Sequence, residues 1–126
     1  MTDSRNEKLN LSYLNEIADG STEFVIEMID IFLEQTPGYF NILNEAVAGQ
    51  DWKTTMEVAH KIKPTLAFIG LNEARDEIQE VEQNTRDLVD LDQIKSKVDK
   101  VNSLCADLFI QLKAYKKELE IKLRSS

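Results

Sequence analysis

Cysteine, histidine and tryptophan occur once each in 126 residues, proline twice and glycine four times, and each scarcity removes a class of protein. A lone Cys105 can build neither a disulfide framework nor a cysteine-based metal site. So little glycine and proline, with 42% hydrophobic residues, favours a helical chain over a β-rich or disordered one. Basic residues are outnumbered, 15 against 23 acidic, for a net charge of −8. That balance argues against nucleic acid and against anionic membranes, which both select basic surfaces. No apolar run approaches the ~20 residues of a membrane span, and Met1-Thr2-Asp3-Ser4-Arg5 lacks the apolar core of a signal peptide. A soluble, cytoplasmic chain is expected. No glycine-rich phosphate loop and no nucleophile elbow are present, so nucleotide binding and serine or cysteine hydrolysis are not expected.

What the sequence does have is helical periodicity. At 126 residues the chain is long enough for one bundle core and too short for two, so residues 1–126 are read as a single domain. Its core covers about 8–119, with loose ends at 1–7 and 120–126. Leu9, Leu11, Leu14 and Ile17 mark a short first helix that stops at Asp19-Gly20. Ser21 is a suitable N-cap for a long second helix, whose inner face runs from Phe24, Val25, Met28, Ile29, Phe32 and Leu33 to Phe40, Leu43, Ala46 and Val47. Thr36-Pro37-Gly38 interrupts the pattern, but the apolar face resumes at once, so a kink within one helix is expected. After the turn Ala48-Gly49-Gln50, Asp51 caps a third helix that ends at Gly70. Leu71, Ala74, Ile78, Val81 and Leu88 step through a fourth, which is expected to fray over 84–87. Ile94, Val98, Val101, Cys105, Leu108, Leu112, Tyr115 and Leu119 hold the stripe of a last, long helix starting near Asp90 or Asp92. The fold class predicted is all-α, an antiparallel four-helix bundle with a short additional N-terminal helix.

The third helix carries the chemistry. At about 100° per residue, Trp52, Val58, Ala59, Ile62, Leu66 and Ile69 gather into one apolar arc, and His60 falls roughly 140° from its centre. The only imidazole of the chain is therefore expected in solvent on a rigid helix. Lys63 lies one turn along and the small Ala67 two turns along. A lone exposed histidine is ordinarily just a surface residue, but this flank leaves room for a reactant. Pro64 lies four residues after His60 and cannot donate to its carbonyl, so a slight bend is expected there. Met56, Pro64, Ala67 and Phe68 form an apolar ring around the imidazole, with Glu57 and Arg75 at its rim.

His60-x-Ile62-Lys63, a small residue at Ala67 and Gly70 ten positions after the histidine resemble the motif of histidine-containing phosphotransfer (HPt) domains, usually His-x-Leu-Lys-Gly-Ser. The resemblance extends over about residues 8–119 because the helix order also fits; Pro64 stands where the family often has glycine. It implies a phosphocarrier of a two-component phosphorelay, an intermediate rather than an autonomous enzyme, without cofactor, metal or nucleotide of its own. The implied partners are response-regulator receiver domains and a hybrid sensor histidine kinase, met by a monomer. A receiver would dock over the third and fourth helices, with Met56, Glu57, Lys61, Pro64, Ala67, Phe68 and Arg75 at the contact. His60 would accept the phosphoryl group from an aspartyl phosphate, aided by the receiver's Mg²⁺ and lysine. Neutral imidazole, with an ordinary pKa near ~6.5, needs no dedicated base for this, and phosphoryl transfer needs mainly positioning and charge neutralisation. Lys63 is placed to neutralise part of the charge and is expected to matter little for folding, whereas Lys61 lies about 100° round the helix.

Two other readings compete with this one. Glu57-x-x-His60 is the unit of di-iron carboxylate bundles, but those need two such units and further glutamates facing inward; one outward histidine does not meet that requirement. A pure adaptor that docks a receiver or kinase without carrying phosphate is the alternative function, and the pairing of His60 with Lys63 argues against it.

Overall fold

A computed structural model describes residues 11–125. The expected loose residues 1–7, and Leu9, lie outside the described part of the chain. Among the described residues five α-helices follow one another: α1 Ser12–Ala18, α2 Thr22–Ala48, α3 Trp52–Ile69, α4 Asn72–Asp87 and α5 Ile94–Ser125, with a 3₁₀ turn, Leu91–Gln93, before the last. There is no strand among the described residues. The four long helices form the antiparallel bundle and α1 packs across α2 and α3.

Local chemistry sets the boundaries. The Ser21 hydroxyl accepts from the Phe24 N–H at 3.2 Å, and Asp51 accepts from the Thr54 N–H at 3.2 Å, so each satisfies a donor that the first turn leaves unpaired. Gly70, at φ 85°, ends α3 in a left-handed turn, and the Leu71 N–H closes it on the Leu66 carbonyl at 2.9 Å. Pro37 lies inside an unbroken α2 and Pro64 inside an unbroken α3, as the resumption of both apolar faces requires.

The core follows the stripes read from the sequence, joined on α5 by Leu104. Val58, Ala59, Ile62, Leu66 and Ile69 of α3 are buried against Ile29, Phe32 and Leu43 of α2, Ile78 and Val81 of α4, and Leu104, Leu108 and Leu112 of α5. Each large side chain so enclosed contributes roughly 1.5–3 kcal/mol over its exposed state. Four details differ from expectation. Ala18, not Ile17, completes the inner face of α1, and Ile17 is exposed. Residues 84–87 stay helical because the Thr85 hydroxyl, itself buried, donates to the Val81 carbonyl and the Val89 N–H closes on Asn84. Leu88 then adopts φ 56° as the cap and is 63% exposed, since a residue that has left the helix no longer follows its phase. At the other end α5 continues as helix through 120–125, where a loose end is expected, because no glycine or proline stops it.

Candidate functional site

His60 stands on the outer side of α3 with 68% of its side chain in solvent. Its inner neighbour Ala59 is completely buried, so one residue of rotation separates core from surface, as the helical phase dictates. Nδ1 of the ring lies 2.8 Å from Oε2 of Glu82 on α4. The same carboxylate takes a hydrogen bond from Lys63 Nζ through Oε1 at 2.8 Å and one from the Arg86 guanidinium through Oε2 at 2.8 Å. Three donors therefore converge on a single acidic side chain that is only 4% exposed.

The electrostatics follow from that convergence. Burial alone would push the Glu82 carboxyl up, but hydrogen bonds from Lys63 and His60, reinforced by charge, outweigh it and hold the group below the ordinary glutamate value of 4.5. Glu82 is thus ionised at neutral pH and can only accept. The ring nitrogen facing it must carry the hydrogen, which fixes the Nδ1–H tautomer of the neutral imidazole and leaves the lone pair on Nε2. A partly solvated Nε2 with its ring held from behind is a nucleophile in a set orientation.

The expected site residues do not all meet. Met56, Glu57 and Lys61 line the hollow around His60 together with Glu82 and Arg86, about 440 Å³ in volume. Pro64 and Phe68 line a different, largely apolar hollow, walled on the other side by Phe32 and Tyr39 of α2. Ala67 is half-buried and lines neither. Arg75 is paired with its neighbour Asp76 at 3.0 Å and lines neither hollow. The apolar ring expected around the histidine is therefore split over two flanks of α3. Lys63 is not a fully solvated lysine: 30% of its side chain is exposed and its ammonium is engaged by Glu82.

Glu82 and Arg86 are the residues that sequence reasoning missed. A signal was there. Glu82 falls four residues after Ile78, in the track where the stripe of α4 calls for an apolar side chain. Arg86 follows four residues later, at the spacing of a helical ion pair.

An exposed imidazole backed by a buried carboxylate, on the second long helix of an antiparallel bundle, is the setting in which the motif around His60 acquires meaning, and the family comparison agrees with it. The model of the Hpt domain matches residues 27–115. The chain belongs to the Hpt domain family. The match takes in α3 and α4 whole and most of α2 and α5, so every residue of the Glu82 cluster lies inside the Hpt domain. Hpt domains are phosphocarriers in histidine phosphotransfer relays. No curated protein and no solved structure matches the chain, and among the described residues no helix is long and apolar enough to cross a membrane.

Proposed function

We propose that this Hpt domain carries a phosphoryl group on Nε2 of His60 between receiver domains of a two-component phosphorelay. The observation that supports it best is the Nδ1 to Glu82 contact at 2.8 Å, which aims the lone pair outward. The Nε2 lone pair attacks the phosphorus of a receiver's aspartyl phosphate; the N–P bond forms while the P–O bond breaks and its electron pair leaves with the aspartate carboxylate. The reverse sequence on a second receiver discharges the carrier. Lys63, one turn from the ring, is shared between Glu82 and the incoming phosphoryl oxygens, and supplies charge neutralisation to the transfer. Met56, Glu57 and Lys61 border the receiver's approach directly, and Pro64, Ala67, Phe68 and Arg75 extend the contact along α3 and the start of α4. A hybrid sensor kinase is the source of the phosphoryl group in this reading, and the carrier acts as a cytoplasmic monomer. An adaptor that only docks a receiver would use the same exposed face, but it would have no use for a buried carboxylate on Nδ1.

The test is phosphotransfer from a panel of phosphorylated receivers to the wild type and to His60→Gln. Label is expected on the wild type alone, stable in base and lost in acid, as for a phosphoramidate. Label retained by His60→Gln, or stable to acid, would sink the proposal.

A further inference from the structure

Glu82 bears on the loaded carrier as well as the resting one. Attack by Nε2 places a positive charge on the ring, because the Nδ1 proton is still present when the new N–P bond forms. If that proton then left, the phosphoryl group would sit on a neutral ring and its later departure would require imidazolate, a poor leaving group. If it stays, the leaving group is neutral imidazole. We infer that Glu82 keeps Nδ1 protonated after the phosphoryl group has arrived, so that the chain holds its cargo as a phosphoimidazolium ready for onward transfer rather than storage. The inference rests on the reading of His60 as the phosphoacceptor.

The geometry supports this in three ways. The carboxylate touches Nδ1 at 2.8 Å, and an opposite charge this close favours the charged form of its neighbour. Glu82 is buried, 4% exposed, behind a ring that is 68% exposed, so the carboxylate side of the pair is shielded from solvent and its ions. The other charges near the ring do not cancel it. Lys63 and Arg86 each hydrogen-bond the carboxylate rather than the ring, while Glu57 and Lys61 at the mouth of the hollow are exposed and of opposite sign. No residue of α1, α2 or α5 lines this hollow. Glu82 is therefore a positioning residue with an electrostatic task. In the full cycle the N–P bond forms and breaks at Nε2, its electron pair returns to Nε2 on departure, and the Nδ1 proton never moves. No general acid or base is called for.

The full chain can be loaded with phosphoramidate, which needs no receiver, and the decay of phosphohistidine followed by ³¹P NMR between about pH 6 and pH 10. Glu82→Gln keeps a hydrogen-bond acceptor but removes the charge. The wild type should lose phosphate at a rate that is flat through neutrality and falls only in the alkaline range. In Glu82→Gln the fall should begin about 1–2 pH units lower, so that near pH 9 the phosphoprotein lives about tenfold longer or more. A merely structural role would not move this profile. Superimposable profiles would overturn the inference. Long-range ¹H–¹⁵N spectra of the phosphorylated wild type at about pH 8 give an independent reading that does not depend on the variant folding: Nδ1 should be protonated, and an unprotonated Nδ1 overturns the inference alone. A chain on which no phosphohistidine forms would remove the proposed function too, and is told apart by the absence of the signal itself.

Discussion

Helix α4 offers acidic side chains to each of its two long neighbours, and the two sets are built differently. Toward α3, one carboxylate, Glu82, is buried and takes His60, Lys63 and Arg86. Toward α5, three carboxylates share two lysines: Lys97 reaches Glu80 at 3.1 Å and Glu77 at 4.0 Å, while Lys100 reaches Glu73 at 3.3 Å and Glu77 at 3.6 Å. The second set is more solvated, from Glu77 and Lys97 at 18% and 20% exposed to Lys100 at 43% and Glu80 at 58%, so water can take over part of a lost partner's role there. On the α3 flank the acceptor, Glu82, is only 4% exposed and depends far more on its protein partners. A charge that folding has to desolvate must recover that cost from its partners. The cluster around Glu82 is therefore held together by necessity, while the one toward α5 adjusts the fit of two helices that the core already joins.

The sharpest way to break the comparison is to strip Glu82 of its cations. Lys63→Met and Arg86→Met should each cost about 1 kcal/mol in urea unfolding, because the remaining donors still satisfy the carboxylate. The double variant should cost about 3 kcal/mol, more than the sum, because it leaves a buried carboxylate with only the imidazole. Simple additivity of the two would mean that Glu82 is solvated after all. The cost for Lys63 is larger than its distance from the apolar arc suggests, since the lysine serves a buried partner.

A smaller effect is expected from pH. Glu82 is held below its ordinary value of 4.5 in the folded chain, so its contribution to stability is complete above about that pH and is lost as pH falls through the lowered value. Asp51 is also held low, chiefly by the Thr54 hydroxyl and N–H, and acts in the same window. Its share is common to wild type and Glu82→Gln. The wild type should therefore lose more stability than Glu82→Gln between about pH 5 and pH 2, measured as denaturation midpoints. Equal losses would show that the carboxyl titrates alike in both states of the chain.

How much of this could be read before the structure depends on whether the property belongs to one helix or to two. The arc of α3, the exposure of His60, the caps at Ser21 and Asp51 and the stop at Gly70 each follow from residues within a turn or two of one another, so periodicity and capping chemistry reach them. Glu82 does not, because its partners His60 and Lys63 are 22 and 19 residues away and meet it only once α3 and α4 pack antiparallel. Its position in the apolar track of α4 was a warning that something buried would have to satisfy it, but not by which side chains. Leu88 departs for the opposite reason: its phase is that of the core stripe, but the helix ends one residue before it. The split of Pro64 and Phe68 from Met56 and Glu57 likewise depends on α2 and α4 lying against different edges of α3, and no single-helix projection shows that.

The smallest effect is expected on the flank toward α5, and there its salt dependence matters more than its size. The Lys100 ammonium is held above its ordinary range by the hydrogen bond to Glu73 and the charge of Glu77, yet 43% of its side chain is in water. Pairs of this kind are worth about 0–1 kcal/mol. Lys100→Ala should cost at most about 0.5 kcal/mol at low ionic strength and nothing measurable in about 1 M salt, where the screening length is about 3 Å. The cost of Lys63→Met should survive the same salt, because its carboxylate partner is shielded by protein rather than by ions. Denaturation of both variants at the two salt concentrations measures the contrast directly. If both costs disappear in salt, the two flanks of α4 are electrostatically alike and Glu82 has no special hold on the ring; if Lys63→Met alone retains its cost, burial is what sets the cluster behind His60 apart.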